Sequence, residues 1–244
     1  MTTETVEWTV FTWNLQGSRR TDMGRVVEVI GAESPDVVAV QEIRRSQAAE
    51  LADALAMSHE WVFKHHPLLP FLPDRAEGAA LFTPHSLGQV SSAVVSRTTS
   101  RRSYRRRVAQ WGVVSRADAT GYRVLNVHLS PHDRPDDRLG EANRIAQIAQ
   151  GFGDAPPIVV AGDLNNDGEP SVTAALPGVE HVTPGPTNPS SDPVQRLDHV
   201  LLPAEATAVS TSVPGGGRDW SDLSDHLPVT VRFGLDWVRG DIVG

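Results

Sequence analysis

The sequence contains no cysteine among its 244 residues. A chain without cysteine forms no disulfide, no thiol nucleophile and no thiolate zinc site. No apolar run approaches the roughly 20 residues that span a bilayer, and residues 1–7 are polar and acidic, unlike the basic and then apolar start of a signal peptide. These absences predict a cytoplasmic enzyme without a membrane span, and nothing in the sequence calls for an obligate protein partner.

Positive charge is scarce overall and concentrated in one stretch. The net charge is −8, which argues against a protein that coats nucleic acid by bulk electrostatics. Six arginines nevertheless lie within eleven residues, namely Arg97, Arg101, Arg102, Arg105, Arg106 and Arg107. Such a stretch on an acidic chain suits local capture of a phosphate-bearing substrate, although arginines that pair with surface acids give the same pattern.

Apolar runs of strand length alternate with segments of helical periodicity. The runs predict strands at residues 8–13, 37–40, 79–82, 90–95, 108–114, 124–129, 158–161, 197–202 and 228–233. Helical spacing of apolar residues predicts helices at residues 23–30, 46–57 and 136–152. The length and the 39% hydrophobic content suit one domain over residues 1–244, with a core at about 8–233 and a short tail at 234–244. This order of elements predicts an α/β fold with two mixed sheets packed face to face and helices outside.

Two polar side chains stand two residues apart just after the apolar run at residues 158–161. Positions i and i+2 of an extended strand project from the same face, so Asp163 and Asn165 point together where a buried strand meets a loop. A carboxylate accepts a proton from water, and an amide donates a hydrogen bond to a charged oxygen. The pair suits hydrolysis if the chain also supplies a metal and a second proton-handling group.

Other predicted strands also begin or end in polar side chains that could act in phosphoester hydrolysis. They are Asn14, Glu42, Asn126, His128, Asp198, Asp225 and His226. Each one alone is typical of a solvated strand end, a turn, a core histidine or a surface pair. As a set on strand ends, which are where catalytic groups gather on a rigid scaffold, they predict one shared active site.

Oxygen ligands for a hard divalent cation are present in this set. Mg²⁺ is bound through one or two carboxylates with other oxygen ligands, and it keeps several waters. Glu42 is the expected anchor, with Asn14 and Asp225 nearby. A metal there would neutralise a phosphate oxygen and stabilise the leaving oxygen.

The remaining polar residues suit proton transfer and stabilisation of phosphate charge. Asp163 is expected to orient and deprotonate the attacking water, while Asn165 holds the water or the phosphate. His226 is expected to donate to the phosphate, with Asp198 fixing its orientation and keeping it cationic. His128 is expected to supply a second cationic or hydrogen-bonding contact.

Six short motifs carry these residues and follow one another from residue 12 to residue 226. They are TWNLQG at 12–17, VQE at 40–42, NVHL at 126–129, AGDLN at 161–165, LDHV at 197–200 and SDH at 224–226. In this order they resemble the metal-dependent endonuclease/exonuclease/phosphatase superfamily. The resemblance implies a four-layer α/β/β/α sandwich with the active site at one edge of the two sheets. It also implies Mg²⁺ or Mn²⁺ on Glu42, together with Asn14 and Asp225.

The same resemblance implies roles for further residues. In deoxyribonuclease-type members a glutamate on a neighbouring strand pairs with the second histidine, and Glu77 is the candidate partner of His128. That type also has a phosphate-contacting arginine at this point of the chain. Substrate contacts are therefore expected among Asn126, Arg105, Arg106 and Arg107.

Three functions are compatible with these residues. The leading one is a deoxyribonuclease-I-like endonuclease, favoured by the expected pair of His128 with Glu77 and by the arginine stretch. The alternative is a metal-dependent phosphatase or phosphodiesterase acting on small-molecule or lipid-head-group phosphates, favoured by the short chain and its acidity. A catalytically silent binding protein on the same scaffold is disfavoured because no catalytic position is lost.

Overall fold

The structure, a computed structural model, describes residues 3–17, 21–66, 76–117, 119–154, 156–177, 180–181 and 185–238. Twelve strands lie in these residues: β1 Thr3–Asn14, β2 Val37–Arg44, β3 Ser58–His65, β4 Glu77–Thr83, β5 Ser86–Val94, β6 Val108–Arg116, β7 Ala119–His128, β8 Ile158–Asp163, β9 Glu180–His181, β10 Asp198–Leu202, β11 Ala206–Ser212 and β12 Val229–Val238. The helices of the same residues are α1 Met23–Glu33, α2 Arg45–Leu55, α3 Pro135–Gln150, α4 Pro170–Ala175 and α5 Arg218–Ser221.

The strands form two six-stranded mixed sheets. One sheet has the order β11-β12-β1-β2-β4-β3, and the other has the order β5-β6-β7-β8-β10-β9. Each sheet has a parallel pair near its centre, β1 with β2 in the first and β7 with β8 in the second. The predicted α/β fold with two mixed sheets is therefore confirmed.

Alternation of side chains along the strands produces the layers. In β1, Trp8 and Val10 point into an apolar core shared with the second sheet, whereas Phe11 and Trp13 point outward to α1 and α2. Each such side chain, removed completely from water, contributes roughly 1.5–3 kcal/mol. A third apolar cluster packs α3 and α4 against the outer face of the second sheet. Helices thus cover both outer faces, which confirms the four-layer sandwich.

Strand register brings the predicted catalytic residues to one edge of the sandwich. Asn14 at the end of β1 is level with Gln41 of β2, and His128 at the end of β7 is level with Asp163 of β8. The antiparallel strand β10 begins beside the same edge, because Asp198 is opposite Asp163.

Several elements differ from the sequence-based expectation. The helical and apolar patterns did not predict β3, β9, β11, α4 or α5, since these elements are short or carry exposed polar residues. Part of the predicted tail is also a strand: residues 234–238 continue β12, pairing with β1 and in part with β11. Residues 239–244 lie outside the described residues. Among the described helices, none combines the length and apolar character that a bilayer crossing requires.

Candidate active site

Asp163 occupies the centre of the strand-end edge. Gly162 before it has a φ of 144°, and a Cβ atom there would overlap the carbonyl oxygen of Val127, so glycine is required for β8 to lie against β7. Asn14 Nδ2 donates to Asp163 Oδ2 over 2.9 Å, and the backbone N–H of Asn165 donates to Oδ1 over 2.8 Å. The carboxylate is thereby fixed in orientation at the point where the two sheets meet.

The protonation of Asp163 follows from its surroundings. Burial of this 1% exposed residue is the main cause that raises its pKa to about 6, and the Asp198 charge adds to the rise. The positive charge of His226 opposes both effects. A carboxylate with this pKa is ionised at pH 7 and is far more basic than an ordinary aspartate, which suits a general base.

His226 forms the cationic partner of this carboxylate. Its Nδ1 donates to Asp198 Oδ2 over 2.7 Å, and Thr187 Oγ1 donates to the same oxygen over 2.6 Å. Burial lowers the pKa of His226, but the charges of Asp198 and Asp163 outweigh it and raise the pKa to about 10. His226 Nε2 lies 3.9 Å from Asp163 Oδ2. A protonated imidazole thus faces the same space as the basic carboxylate.

Replacing Asp198 with asparagine should lower the pKa of His226, because the variant removes the charge that most raises it. In the wild type, folding keeps a proton on His226 that the unfolded chain releases near pH 6.5. The contribution of this proton to the free energy of unfolding is fully present below about pH 6.5, and it is lost as the pH rises through about 10. Histidine NMR titration of both proteins measures the change. A His226 resonance that titrates identically in both would contradict the assignment of Asp198.

Glu42 reaches the same edge through an irregular backbone. It has a φ of 53°, and the pairing of β2 with β4 shifts register between Gln41 and Ile43. Such bulges and left-handed residues are concentrated at functional sites, where they re-aim a side chain. Burial tends to raise the pKa of Glu42, but Lys64 and Arg107 outweigh it and hold the pKa below its usual value. Glu42 is therefore ionised.

His128 lies between the two carboxylates. Its Nδ1 is 3.7 Å from Glu42 Oε1, and its Nε2 is 3.5 Å from Asp163 Oδ2. Burial, followed by the charges of Lys64 and Arg107, holds the pKa of His128 well below its usual range. His128 is therefore neutral at pH 7. The sequence suggested either a cationic or a hydrogen-bonding contact from this residue, and a neutral imidazole can supply only the hydrogen-bonding contact.

Glu77 does not form the expected pair with His128. Its ion pairs within the described residues are with Lys64 Nζ at 3.3 Å and His65 Nε2 at 3.5 Å. The difference arises from β3, which the sequence patterns did not predict and whose His65 is level with Glu77 on β4. Lys64 is the site residue that sequence reasoning missed, although it had one signal: it is the only lysine of the chain.

Asp225 and Asn165 complete the edge. Asp225 is half-buried, and Ser224 beside it donates from Oγ to the backbone carbonyl of Asn14 over 2.6 Å, so the loop before β12 is joined to the end of β1. Asn165 has a φ of 48°, and its Nδ2 donates to the carbonyl of Leu129 over 3.0 Å. Their predicted roles, metal binding for Asp225 and a water or phosphate contact for Asn165, stay predictions.

The three arginines expected to contact phosphate occupy different environments. Arg105 is exposed and lies over the ring of Tyr104. Arg106 donates from Nη1 to the carbonyls of Phe63 and Lys64, so it anchors the end of β3. Arg107 is buried, and its charge acts on Glu42 and His128. Among the three, Arg107 is the one whose charge acts on site residues, and Arg105 is the one exposed to solvent.

Asn126 is a structural residue and not a substrate contact. It has no exposed surface, and its Nδ2 donates to the carbonyls of Val40 and Ala80, while its Oδ1 accepts from Gln41 Nε2 over 2.8 Å. These bonds join β7 of the second sheet to β2 and β4 of the first. The prediction that Asn126 binds substrate is therefore wrong, because every face of the amide is occupied by protein.

An Asn126→Ala variant is expected to lower the free energy of unfolding by about 1–3 kcal/mol. Its loss removes one of the three acceptors of Gln41 Nε2 and the side-chain donor to two buried carbonyls, and an unpaired buried polar group costs energy of this size. Urea unfolding measures the effect. Unchanged stability with a raised KM would restore Asn126 to the substrate site.

The residues at this edge fit a divalent metal. Glu42 is ionised and reaches the surface with a side chain that is 23% exposed. Asn14 and Asp225 carry further oxygens at the same edge, because Asn14 is level with Gln41 and its carbonyl accepts from Ser224, next to Asp225. Hard cations such as Mg²⁺ and Mn²⁺ prefer such ligands. A second group of potential ligands consists of Asp163, Asp198 and His226. Each offers one ligand atom, and these atoms lie within 4.8 Å of one another. In this second group Asp198 Oδ2 already accepts hydrogen bonds from His226 Nδ1 and Thr187 Oγ1, which favours the Glu42 side of the site.

The fold and the site together define a phosphoester-acting enzyme of the two-sheet sandwich class. The sequence model described as the endonuclease/exonuclease/phosphatase family matches residues 11–226. The chain therefore belongs to the endonuclease/exonuclease/phosphatase family, as the six motifs predicted. A comparison with curated protein sequences found no significant match.

Solved structures share the fold at low sequence identity. An endonuclease/exonuclease/phosphatase from Bacteroides vulgatus superposes with a TM-score of 0.78 at 17% identity, covering 94% of this chain and 99% of that one. The mannosyl-6-phosphatase Bt3783 of Bacteroides thetaiotaomicron gives 0.73 at 19% identity, covering 93% and 99%. TDP2 from Caenorhabditis elegans gives 0.73 at 17% identity, covering 93% and 74%. At these identities the likeness establishes the fold alone.

Proposed function

We propose that this protein is a divalent-metal-dependent phosphodiester hydrolase that acts on DNA as an endonuclease. The observation that carries the proposal is that, of two adjacent groups, one is deprotonated and the other is protonated at pH 7. Asp163 is a carboxylate with a pKa of about 6, and His226 is an imidazolium with a pKa of about 10. A base for water and a cation for phosphate oxygen thus share one space.

The residues of the chain account for the hydrolytic step. Asp163, held by Asn14 and Asn165, accepts a proton from water as the water oxygen bonds to phosphorus and the bond from phosphorus to the leaving oxygen breaks. His226 donates a hydrogen bond to a nonbridging oxygen on which negative charge grows, and Asp198 keeps it protonated. A preorganised contact of this kind is typically worth about 2.7–4 kcal/mol in the transition state.

Glu42 would hold Mg²⁺ or Mn²⁺ together with Asn14 and Asp225. When bound, the metal would supply neutralisation of phosphate charge and stabilisation of the leaving oxygen. Glu42 suits this task because its pKa is held below the usual value, so the carboxylate needs no deprotonation before binding.

The connection between β5 and β6 supports a substrate with several phosphates. Arg101, Arg102 and Arg105 are exposed along it, and it ends at the buried Arg107. Tyr104, with 60% of its surface exposed, lies in the same stretch, and the guanidinium of Arg105 lies over one face of its ring. Cationic and aromatic side chains that lead toward the hydrolytic residues suit a nucleic-acid backbone better than a single phosphate group.

A phosphatase or phosphodiesterase acting on small-molecule or lipid-head-group phosphates is the second candidate. It is favoured by acidic residues next to the arginine stretch: Asp137 lies 3.7 Å from Arg97, and the charges of Asp137 and Asp133 act on Arg105. These acids reduce the positive field that a polyanion would meet, whereas the buried site is unaffected.

Nicking of supercoiled DNA with Mg²⁺, compared with hydrolysis of a phosphate-ester panel, distinguishes the two candidates. For a nuclease, the double variant Arg102→Gln/Arg105→Gln should weaken DNA cleavage but leave hydrolysis of small esters unchanged. The slope of log DNA affinity against log salt concentration should fall by about 1 for each phosphate contact that is lost. Arg107→Gln should impair both substrates. Arg232→Gln is the control, because Arg232 pairs with Glu33 and is level with Thr9, five residues before Asn14. Absence of nicking by a preparation that hydrolyses small esters would reject the nuclease.

A further inference from the structure

The only lysine of the chain is buried inside the candidate site. Its side chain is 7% exposed, and Nζ lies 3.4 Å from Glu42 Oε1 and 3.3 Å from Glu77 Oε1. The other 21 positions counted as lysine or arginine are arginine. Lysine is a compact ammonium on a flexible stem, unlike the planar guanidinium that arginine uses for fixed ion pairs. The site therefore contains a type of cation that the chain uses nowhere else.

Two matching backbone irregularities aim Lys64 and Glu42 at each other. β4 lies between β2 and β3, and the pairing of β3 with β4 shifts register between Phe63 and His65, which makes Lys64 the extra residue. Glu42 is the extra residue on the other side of β4. Bulges beside active sites re-aim side chains. The carbonyl of Lys64 also accepts a hydrogen bond from Arg106, which fixes the backbone at this point.

The arrangement around the ammonium matches a phosphate contact. An ammonium has three N–H donors, and two of them have carboxylate acceptors, Glu42 and Glu77, within the described residues. A dication on Glu42 would place two like charges side by side, and an anion between them would relieve the repulsion. Phosphate is that anion in a phosphoesterase, and Glu77 would still hold the lysine in place.

We propose that Lys64 is a further catalytic residue, which donates to the substrate phosphate and is positioned by Glu77. This inference rests on the proposed function, because it requires a metal on Glu42 and a phosphoester substrate. It also gives Glu77 a role that replaces the expected contact with His128.

The first test measures binding of inorganic phosphate by calorimetry in the presence of Mn²⁺. Lys64→Gln should weaken phosphate binding about 10- to 150-fold, the loss expected for one charge-assisted hydrogen bond, while Mn²⁺ alone binds as tightly as before or more tightly. Lys64→Arg should recover part of the affinity, and Glu77→Gln should weaken it less than Lys64→Gln. Arg232→Gln, which removes the same charge at a remote position, should match the wild type.

The second test uses the wild type alone and so does not depend on the folding of a variant. An amine-reactive reagent modifies only Lys64 and the N-terminal amine, and mass spectrometry separates the two peptides. Phosphate with Mn²⁺ should slow labelling of Lys64 at least about fivefold relative to Mn²⁺ alone, and leave the N-terminal rate unchanged.

The inference would be overturned if Lys64→Gln bound phosphate as tightly as the wild type, or if phosphate did not slow the labelling of Lys64. Lys64 would then form only a structural ion pair. Wild-type protein that binds neither Mn²⁺ nor phosphate and hydrolyses no phosphoester would instead overturn the proposed function. The two failures are therefore distinct.

Discussion

Replacing Asp163 with asparagine is expected to lower kcat by about 10²- to 10⁴-fold, the range associated with loss of a general base. The amide keeps the size of the side chain but cannot accept the proton of the attacking water. Burial disfavours the ionised carboxylate in the folded protein, whereas the amide leaves one of the two donors, Asn14 Nδ2 or the Asn165 N–H, without its acceptor. These effects oppose each other, so the urea midpoint should stay near that of the wild type. Steady-state kinetics on a chromogenic phosphodiester, together with the urea midpoint, separates lost chemistry from lost structure.

The pH profile gives an independent test of the same residue. In the wild type, kcat/KM should rise with pH through an apparent pKa at or below about 6, because Asp163 must be ionised and a bound metal would lower its pKa further. Asp163→Asn should lack this rising limb. A wild-type profile without a limb in the acidic range would exclude Asp163 as the base.

Replacing Glu42 with glutamine is expected to weaken Mn²⁺ binding and lower kcat by roughly 10²- to 10³-fold, as loss of one electrostatic group in a preorganised site does. An amide oxygen is a weaker ligand than the ionised carboxylate that Lys64 and Arg107 maintain here. Excess Mn²⁺ should restore part of the activity, because the remaining oxygen ligands are intact.

Calorimetric titration with Mn²⁺ measures this effect, and Glu33→Gln is the matched control. Glu33 ends α1 and pairs with Arg232 in the described structure, so it offers the same chemical change away from the strand-end edge. If the wild type and Glu42→Gln bound Mn²⁺ equally well, Glu42 would not be a metal ligand. The metal would then be assigned to other residues, and Asp163, Asp198 and His226 form the second group of potential ligands among the described residues.

Sequence alone predicted the two sheets and most residues of the edge for one physical reason. Asn14, His128, Asp163 and Asp198 lie at the ends of strands whose apolar residues form the core, so packing of the strands fixes where these ends meet. Such positions are determined by patterns that a single sequence displays, namely alternation, strand length and a polar residue at the end of the strand.

Sequence alone could not predict the pairings decided by contacts between distant segments. The strand β3 is half-exposed and polar, so its pattern gave little signal, yet it supplies Lys64 and takes Glu77 away from His128. Asn126 differs from His128, two residues further along β7, because Gln41 and two carbonyls of the facing sheet surround it. The polar residues of the opposite sheet decide which strand residue is held in structural hydrogen bonds and which reaches the candidate site.

The site combines groups whose pKa values depart from those that they have in water. A basic aspartate, a cationic histidine and a neutral histidine lie within one cluster, and each state is maintained by its neighbours. Proteins retain such arrangements chiefly at functional sites. The cluster therefore supports the edge of the sandwich as the proposed site of hydrolysis.

The most direct test is hydrolysis of a chromogenic phosphodiester by chelator-treated wild type and by Asp163→Asn, each with and without added Mn²⁺. Turnover is predicted only for the wild type with Mn²⁺, and it should cease again when the metal is removed. Turnover by the wild type without metal, or equal turnover by Asp163→Asn with metal, would contradict a metal-dependent hydrolase in which Asp163 activates the water.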